Sequence, residues 1–187
     1  NKARYAARLN AFKTRGDTVA EMLTAAAQVA GVDAADLNYP DHFEAHSPVE
    51  LGRILADKGL TLNGLAMRYY TDPGFRLGAF THPDAGLRQK AIDLTKRGID
   101  ALAEMGGSLM TIWLGQDGFD YSFQGNYARM WDDTIAAIAE VADHNRSVDI
   151  SIEYKPNEPR AHVVMPDMAT TLLALREVGR ANTGVTL

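Results

Sequence analysis

The sequence predicts an α/β protein: a (β/α)8 TIM barrel with about six of its eight units in this chain. Three observations point there. Apolar patterns switch repeatedly between strand-like and helix-like periods along the 187 residues, and such alternation argues for a parallel sheet with crossover helices. Segments after predicted strands are long and hold Gly and Pro, whereas those after helices are short. Barrel enzymes build their sites from the first kind of loop. Finally, no Gly-x-Gly-x-x-Gly follows an early strand, which counts against an open doubly wound sheet. A full barrel takes roughly 250 residues. One domain over residues 1–187 is therefore expected, lacking about two of the barrel's units at its C-terminal end and leaving the last strand an open edge.

The elements follow in order. Tyr5 to Asn10 is short and β-compatible. Asp17 is expected to cap a helix through Met22, Leu23, Ala26 and Val29, which Gly31 ends. Ala35 to Tyr39 is a predicted strand stopped by Pro40. Ser47-Pro48-Val49-Glu50 is a capping box with Pro at the first helical position. Leu51, Ile54 and Leu55 give that helix its apolar face, and Gly59 closes it. Leu60 to Tyr70 is a predicted strand running into a long loop with Pro73, Gly74, Gly78 and Pro83. A long helix from Ala85 to Met105 follows, with Leu87, Ala91, Leu94, Ile99 and Leu102 on its buried side. Ser108 to Leu114 is the next strand, and the loop after it holds Gly115, Gly118 and Gly125. Asn126 is placed to cap a helix carrying Met130, Ile135, Ile138 and Val141. Val148 to Tyr154 is a strand, followed by a loop stiffened by Pro156 and Pro159. Pro166 opens a helix through Leu172, Leu173, Leu175 and Val178, ended by Gly179, and Thr183 to Leu187 is a last strand.

Composition excludes several functions. Lys and Arg number 19 against 24 Asp and Glu, a net charge of −5, so the basic footprint of a nucleic-acid binder is missing. No apolar run is long enough to span a membrane. Without Cys there is no disulfide framework, zinc–thiolate site or thiol nucleophile. No secretory signal opens the chain, and because Asn1 is not Met, the natural start is expected upstream. A cytoplasmic homo-oligomer acting on a small molecule, with neither nucleic acid nor membrane as partner, is the expectation.

The informative segment runs from Val148 to Pro156. Side chains alternate along a strand, so Val148, Ile150, Ile152 and Tyr154 share one face, and Asp149, Ser151, Glu153 and Lys155 the other. In a barrel the apolar set packs under the helices and the polar set points inward. Glu153 and Lys155 then lie at the C-terminal end of the strand, where barrel enzymes keep their catalytic groups. The carboxylate offers hard oxygen to a divalent cation, and the ammonium can polarise a substrate oxygen beside it. Trp113 shares a strand face with Leu109 and Thr111 and is expected to point inward.

Ile152-Glu153-Tyr154-Lys155-Pro156-Asn157-Glu158-Pro159-Arg160 closely resembles the xylose isomerase motif I/V-E-P-K-P-x-x-P, with Tyr154 in place of Pro. Tyr70-Thr71-Asp72-Pro73-Gly74-Phe75-Arg76-Leu77-Gly78-Ala79-Phe80-Thr81 resembles that family's F-T-x-P-x-F-x-x-G-G-F-T loop. Trp113-Leu114-Gly115-Gln116-Asp117-Gly118 resembles W-G-G-R-E-G. The three keep the family's order. The resemblance implies a divalent-metal-dependent (Mg, Mn or Co) aldose–ketose sugar isomerase. By motif match, Glu153 is a metal ligand and Lys155 the catalytic residue that meets the substrate carbonyl oxygen. Trp113 and Tyr70, the latter in the place of a family Phe, wall the sugar. Further ligands are expected from strands beyond Leu187. One departure stands at Asn38, nearest the position of the family's ring-opening His, with His42 a few residues on. A ketose 3-epimerase on the same barrel, or a sugar-binding barrel without catalysis, is the alternative. His82, His162, His46 and His144 are taken as loop or helix-end histidines, and Asp117 and Asp120 as members of a solvated loop.

Overall fold

The computed structural model describes residues 5–186. Six strands form one sheet: β1 (Tyr5–Arg8), β2 (Val32–Tyr39), β3 (Thr61–Met67), β4 (Leu109–Trp113), β6 (Asp149–Glu153) and β8 (Thr183–Thr186). They stand in chain order and every neighbouring pair is parallel. The crossovers carry α1 (Val19–Ala27), α2 (Pro48–Asp57), α3 (Ala85–Glu104), α4 (Tyr127–His144) and α5 (Met168–Val178). This is the strand order of a (β/α)8 barrel with six of its eight strands. Two further strands, β5 (Gly118–Phe119) and β7 (His162–Val163), make a small antiparallel ribbon that alternation alone did not predict. A Cβ on Gly118 would stand 2.0 Å from the His162 carbonyl oxygen, so the ribbon closes only around glycine.

Local chemistry sets the helix starts. Thr18, not Asp17, caps α1: Glu21 N–H donates to Thr18 Oγ1 at 3.2 Å, and Thr18 N–H returns to Glu21 Oε2 at 3.0 Å. The Thr-x-x-Glu box satisfies two free donors at once, which Asp17 could not do alone. Ser47 and Glu50 close the same box on α2. Asn126 caps α4 as expected, and Asp167 caps α5 through Thr170 N–H at 2.8 Å. In α5 it is Ala174, Leu175 and Val178 that are buried, while Leu172 and Leu173 face outward. The expected first strand stops at Arg8, and Leu9–Arg15 turns into a 3-10 helix.

Alternation sorts the sheet faces. Leu37, Leu65, Met67, Met110, Ile112, Ile150 and Ile152 pack with Ile99, Leu102, Ile138 and Val141 in one apolar core between sheet and helices. Each buried Leu or Ile there contributes about 1.5–3 kcal/mol. The register of β2 on β3 slips between Ala35 and Asp36, so Asn63 is an extra residue on β3. The bulge turns Asn63 toward Asp36, whose Oδ1 accepts from Asn63 Nδ2 at 2.8 Å. The opposite sheet face, the barrel interior, thus carries Asp36, Asn38, Thr111, Trp113, Ser151 and Glu153.

Candidate active site

The C-terminal strand ends bring the four sequence-selected residues together. Trp113 pairs in register with Glu153 across β4 and β6, so both project into the interior at one level. Lys155 follows two residues past the strand, and its Nζ lies 5.2 Å from the Trp113 ring centre. The Tyr70 ring meets the Trp113 ring edge-on, with centres 5.7 Å apart and planes at 70°. The Arg68 guanidinium lies over the Tyr70 ring, 5.1 Å from its centre. Arg68, Tyr70, Trp113 and Lys155 therefore form a continuous cation–aromatic row, in which each ring face attracts the neighbouring positive charge.

Glu153 and Lys155 do not pair with each other. The Lys155 Nζ lies 2.6 Å from Glu158 Oε2. The Glu153 carboxylate, 21% exposed, accepts instead from Arg8 Nη2 at 2.7 Å. Sequence reasoning missed Arg8, since nothing in a four-residue strand signals a partner 145 positions away. Asp36 stands across from Arg8 in the β1–β2 register. Burial raises its pKa above the ordinary carboxylate value, opposed by the Asn63 hydrogen bond and the Arg8 charge.

Glu153 suits a cation as one hard oxygen ligand in the barrel interior. Among the described residues no group of three His, Asp or Glu side chains is placed to hold a metal ion, so a site that used Glu153 would need donors from elsewhere.

One acidic residue expected in a solvated loop is buried. Asp117 is 1% exposed and accepts from Ala79 N–H at 3.0 Å, Thr81 N–H at 2.7 Å and Thr81 Oγ1 at 2.9 Å. Its backbone carbonyl accepts from Val164 N–H at 2.9 Å. Two of the motif stretches are thus clasped through this one carboxylate. Burial pushes its pKa up, against the pull of those hydrogen bonds. Asp120, by contrast, binds Arg160 Nη1 at 2.7 Å. His42 is also buried. Its Nδ1 accepts from Asn38 N–H at 3.0 Å and its Nε2 lies 3.2 Å from Asn10 Oδ1, which assigns the neutral tautomer protonated on Nε2. Burial lowers its pKa to about 4. His42 is therefore a fixed neutral strut at the end of β2. His82 is buried, and its Nδ1 accepts from Asp84 N–H at 3.0 Å.

A parallel sheet in barrel order, with an aromatic pair, a lysine and a carboxylate at the C-terminal strand ends, defines an incomplete (β/α)8 barrel that carries its polar groups where barrel enzymes build their sites. A family model described as xylose isomerase-like TIM barrel matches residues 23–187, and the chain belongs to that family. It is 28% identical over 134 residues to the xylose isomerase of Thermus thermophilus, covering 68% of this chain and 34% of that relative. The chain thus spans about a third of the length of that curated relative. Among solved structures it resembles L-ribulose 3-epimerase with a TM-score of 0.76 at 18% identity, covering 98% of this chain and 59% of the other. A family 2 AP endonuclease from Brucella melitensis aligns with a TM-score of 0.74 at 17% identity, covering 98% of this chain and 67% of the other. At these identities the two structures speak to the fold alone. No helix among the described residues is long and apolar enough to cross a membrane.

Proposed function

We propose that residues 1–187 form one barrel domain that carries part of the active site of a divalent-metal-dependent aldose–ketose sugar isomerase. The observation that carries this reading is the placement of Lys155 Nζ over the Trp113 ring, beside Glu153 on the neighbouring strand end. Trp113 and Tyr70 offer apolar ring surface to the C–H face of a sugar. Lys155, held above Trp113, is placed to donate to a substrate oxygen next to the carbon that changes oxidation state. Glu153 is one ligand for Mg, Mn or Co, which when bound polarises the sugar oxygens. The reaction moves one hydrogen between C1 and C2 and one proton between their oxygens, so aldose and ketose interconvert without net oxidation.

A ketose 3-epimerase is the second reading, and Asn38 favours it. An amide cannot deliver a proton to a ring oxygen as a histidine does, and His42 is held neutral by burial. The test is incubation of the full-length chain with aldoses and ketoses in the presence of Mn²⁺, with products resolved by NMR. Aldose–ketose interconversion supports the isomerase. Inversion at C3 supports the epimerase. Sugar binding without turnover leaves a sugar-binding barrel.

A further inference from the structure

Two buried side-chain nitrogens lack a hydrogen-bond partner among the described residues: Asn38 Nδ2 and Arg68 Nε. They are neighbours. Asn38 pairs with Ala66 in the β2–β3 register, and the Arg68 backbone N–H donates to the Tyr39 carbonyl at 2.8 Å. The two residues therefore lie diagonally across adjacent strands, Asn38 near the end of β2 and Arg68 just past the end of β3. Asn38 is 5% exposed. It shares a strand face with Asp36, while Leu37 and Tyr39 pack with the core on the other, so its amide faces the barrel interior.

Both orphan atoms are donors, one on a neutral amide and one on a guanidinium. A buried donor left unmet forfeits its hydration with nothing in return, and native structures rarely leave two together. The nearby anions are otherwise engaged. Asp41 and Glu153 are the carboxylates whose charge reaches Arg68. Asp41 Oδ1 accepts from Thr71 Oγ1 at 3.1 Å, and Glu153 from Arg8. Arg68 makes no ion pair among the described residues.

We propose that Asn38 and Arg68 form an oxyanion subsite at the barrel mouth, beside Glu153 and Lys155, which takes the carboxylate or phosphate of an acidic sugar. The proposal rests on the sugar-transforming reading above and specifies its substrate class. An acceptor-only, negatively charged group satisfies two donors and one positive charge together, whereas a neutral hydroxyl brings a donor of its own. The Tyr70 ring meets both the Arg68 guanidinium and Trp113, so one aromatic ring ties the subsite to the Trp113 wall.

The test is calorimetric binding of D-xylose, D-xylonate, D-xylulose 5-phosphate and inorganic phosphate to the full-length chain and to its Arg68→Gln and Asn38→Asp variants. At least one acidic sugar binds about tenfold or more tighter than D-xylose, the worth of one charge-assisted hydrogen bond. Arg68→Gln erases that preference, so that acidic sugar and D-xylose bind within about twofold of each other, a difference too small for one hydrogen bond. Asn38→Asp, which sets a like charge against the ligand, does the same. Preference for the xylonate assigns the subsite to carboxylates, and preference for the 5-phosphate to phosphates. Equal binding of neutral and acidic sugars, unchanged in Arg68→Gln, overturns the subsite and leaves the sugar reading intact. Arg68-dependent binding of inorganic phosphate with no sugar bound upholds the subsite and overturns the sugar reading. Failure of every probe to bind overturns the subsite. If Arg68→Gln does not fold, by circular dichroism, Asn38→Asp and the wild-type selectivity decide.

Discussion

Arg8 and Glu153 meet across the barrel mouth, Nη2 to Oε2 at 2.7 Å, although β2, β3 and β4 stand between their strands in the sheet. The contact thus spans the curved interior instead of running along a ladder. It places a protein-borne cation on the one carboxylate the motif selects as a metal ligand, so any metal ion must compete with a guanidinium.

Arg8→Met is expected to strengthen Mn²⁺ binding severalfold, the worth of a partly exposed ion pair being about 1 kcal/mol or less. Glu153→Gln is expected to weaken it. Titration calorimetry on the full-length chain reads both. Unchanged affinity in both variants would remove Glu153 from the ligand set.

Turnover of sugars is expected to need added Mg²⁺, Mn²⁺ or Co²⁺ and to stop on chelation, since hard carboxylate oxygen suits these ions and no thiolate is available. Steady-state rates before and after EDTA treatment, with metal added back, check this. Full activity after thorough EDTA treatment contradicts it.

Lys155→Met is expected to abolish turnover and leave metal binding almost intact. Methionine keeps much of the stem length and removes the charge that faces Trp113. A variant retaining more than about a tenth of the wild-type kcat, a loss smaller than general acid–base help gives, would make Lys155 a structural neighbour. The epimerase reading would then move ahead.

Acidification is expected to destabilise the fold through His42. Its pKa is 6.5 in the unfolded chain and about 4 when folded, so between those values the unfolded state binds more protons. Stability is therefore full above about pH 6.5 and falls as pH drops toward 4, by an amount on the order of 2–3 kcal/mol. Denaturant midpoints across this range measure the slope. His42→Asn, which keeps an acceptor near the Nδ1 position, should flatten it.

Asp117→Ala is expected to cost about 3 kcal/mol or more, because several buried donors on Ala79 and Thr81 lose a charged acceptor at once. Asp120→Ala, which removes an ion pair at a partly exposed carboxylate, should cost far less. Thermal unfolding of the two variants side by side tests the contrast, and equal losses would refute the clasp.

Much of the fold was legible in the sequence because its signals are local. The Ser47–Glu50 box, the 3.6-residue apolar stripe of α3 and the two-residue alternation of β6 each act within a few positions. They decide helix or strand without reference to the rest of the chain. The same alternation placed Glu153 inward and Ile150 and Ile152 against the helices. What the sequence could not show depends on register and curvature. Arg8 reaches Glu153 only because β1 curls round toward β6. Asp117 is buried only because two long loops close over it. Asn38 and Arg68 become neighbours only once β3 slips by one residue at Asn63. A side chain's partner far along the chain is set by the path of the backbone between them, and hydrophobic period carries no information about that path.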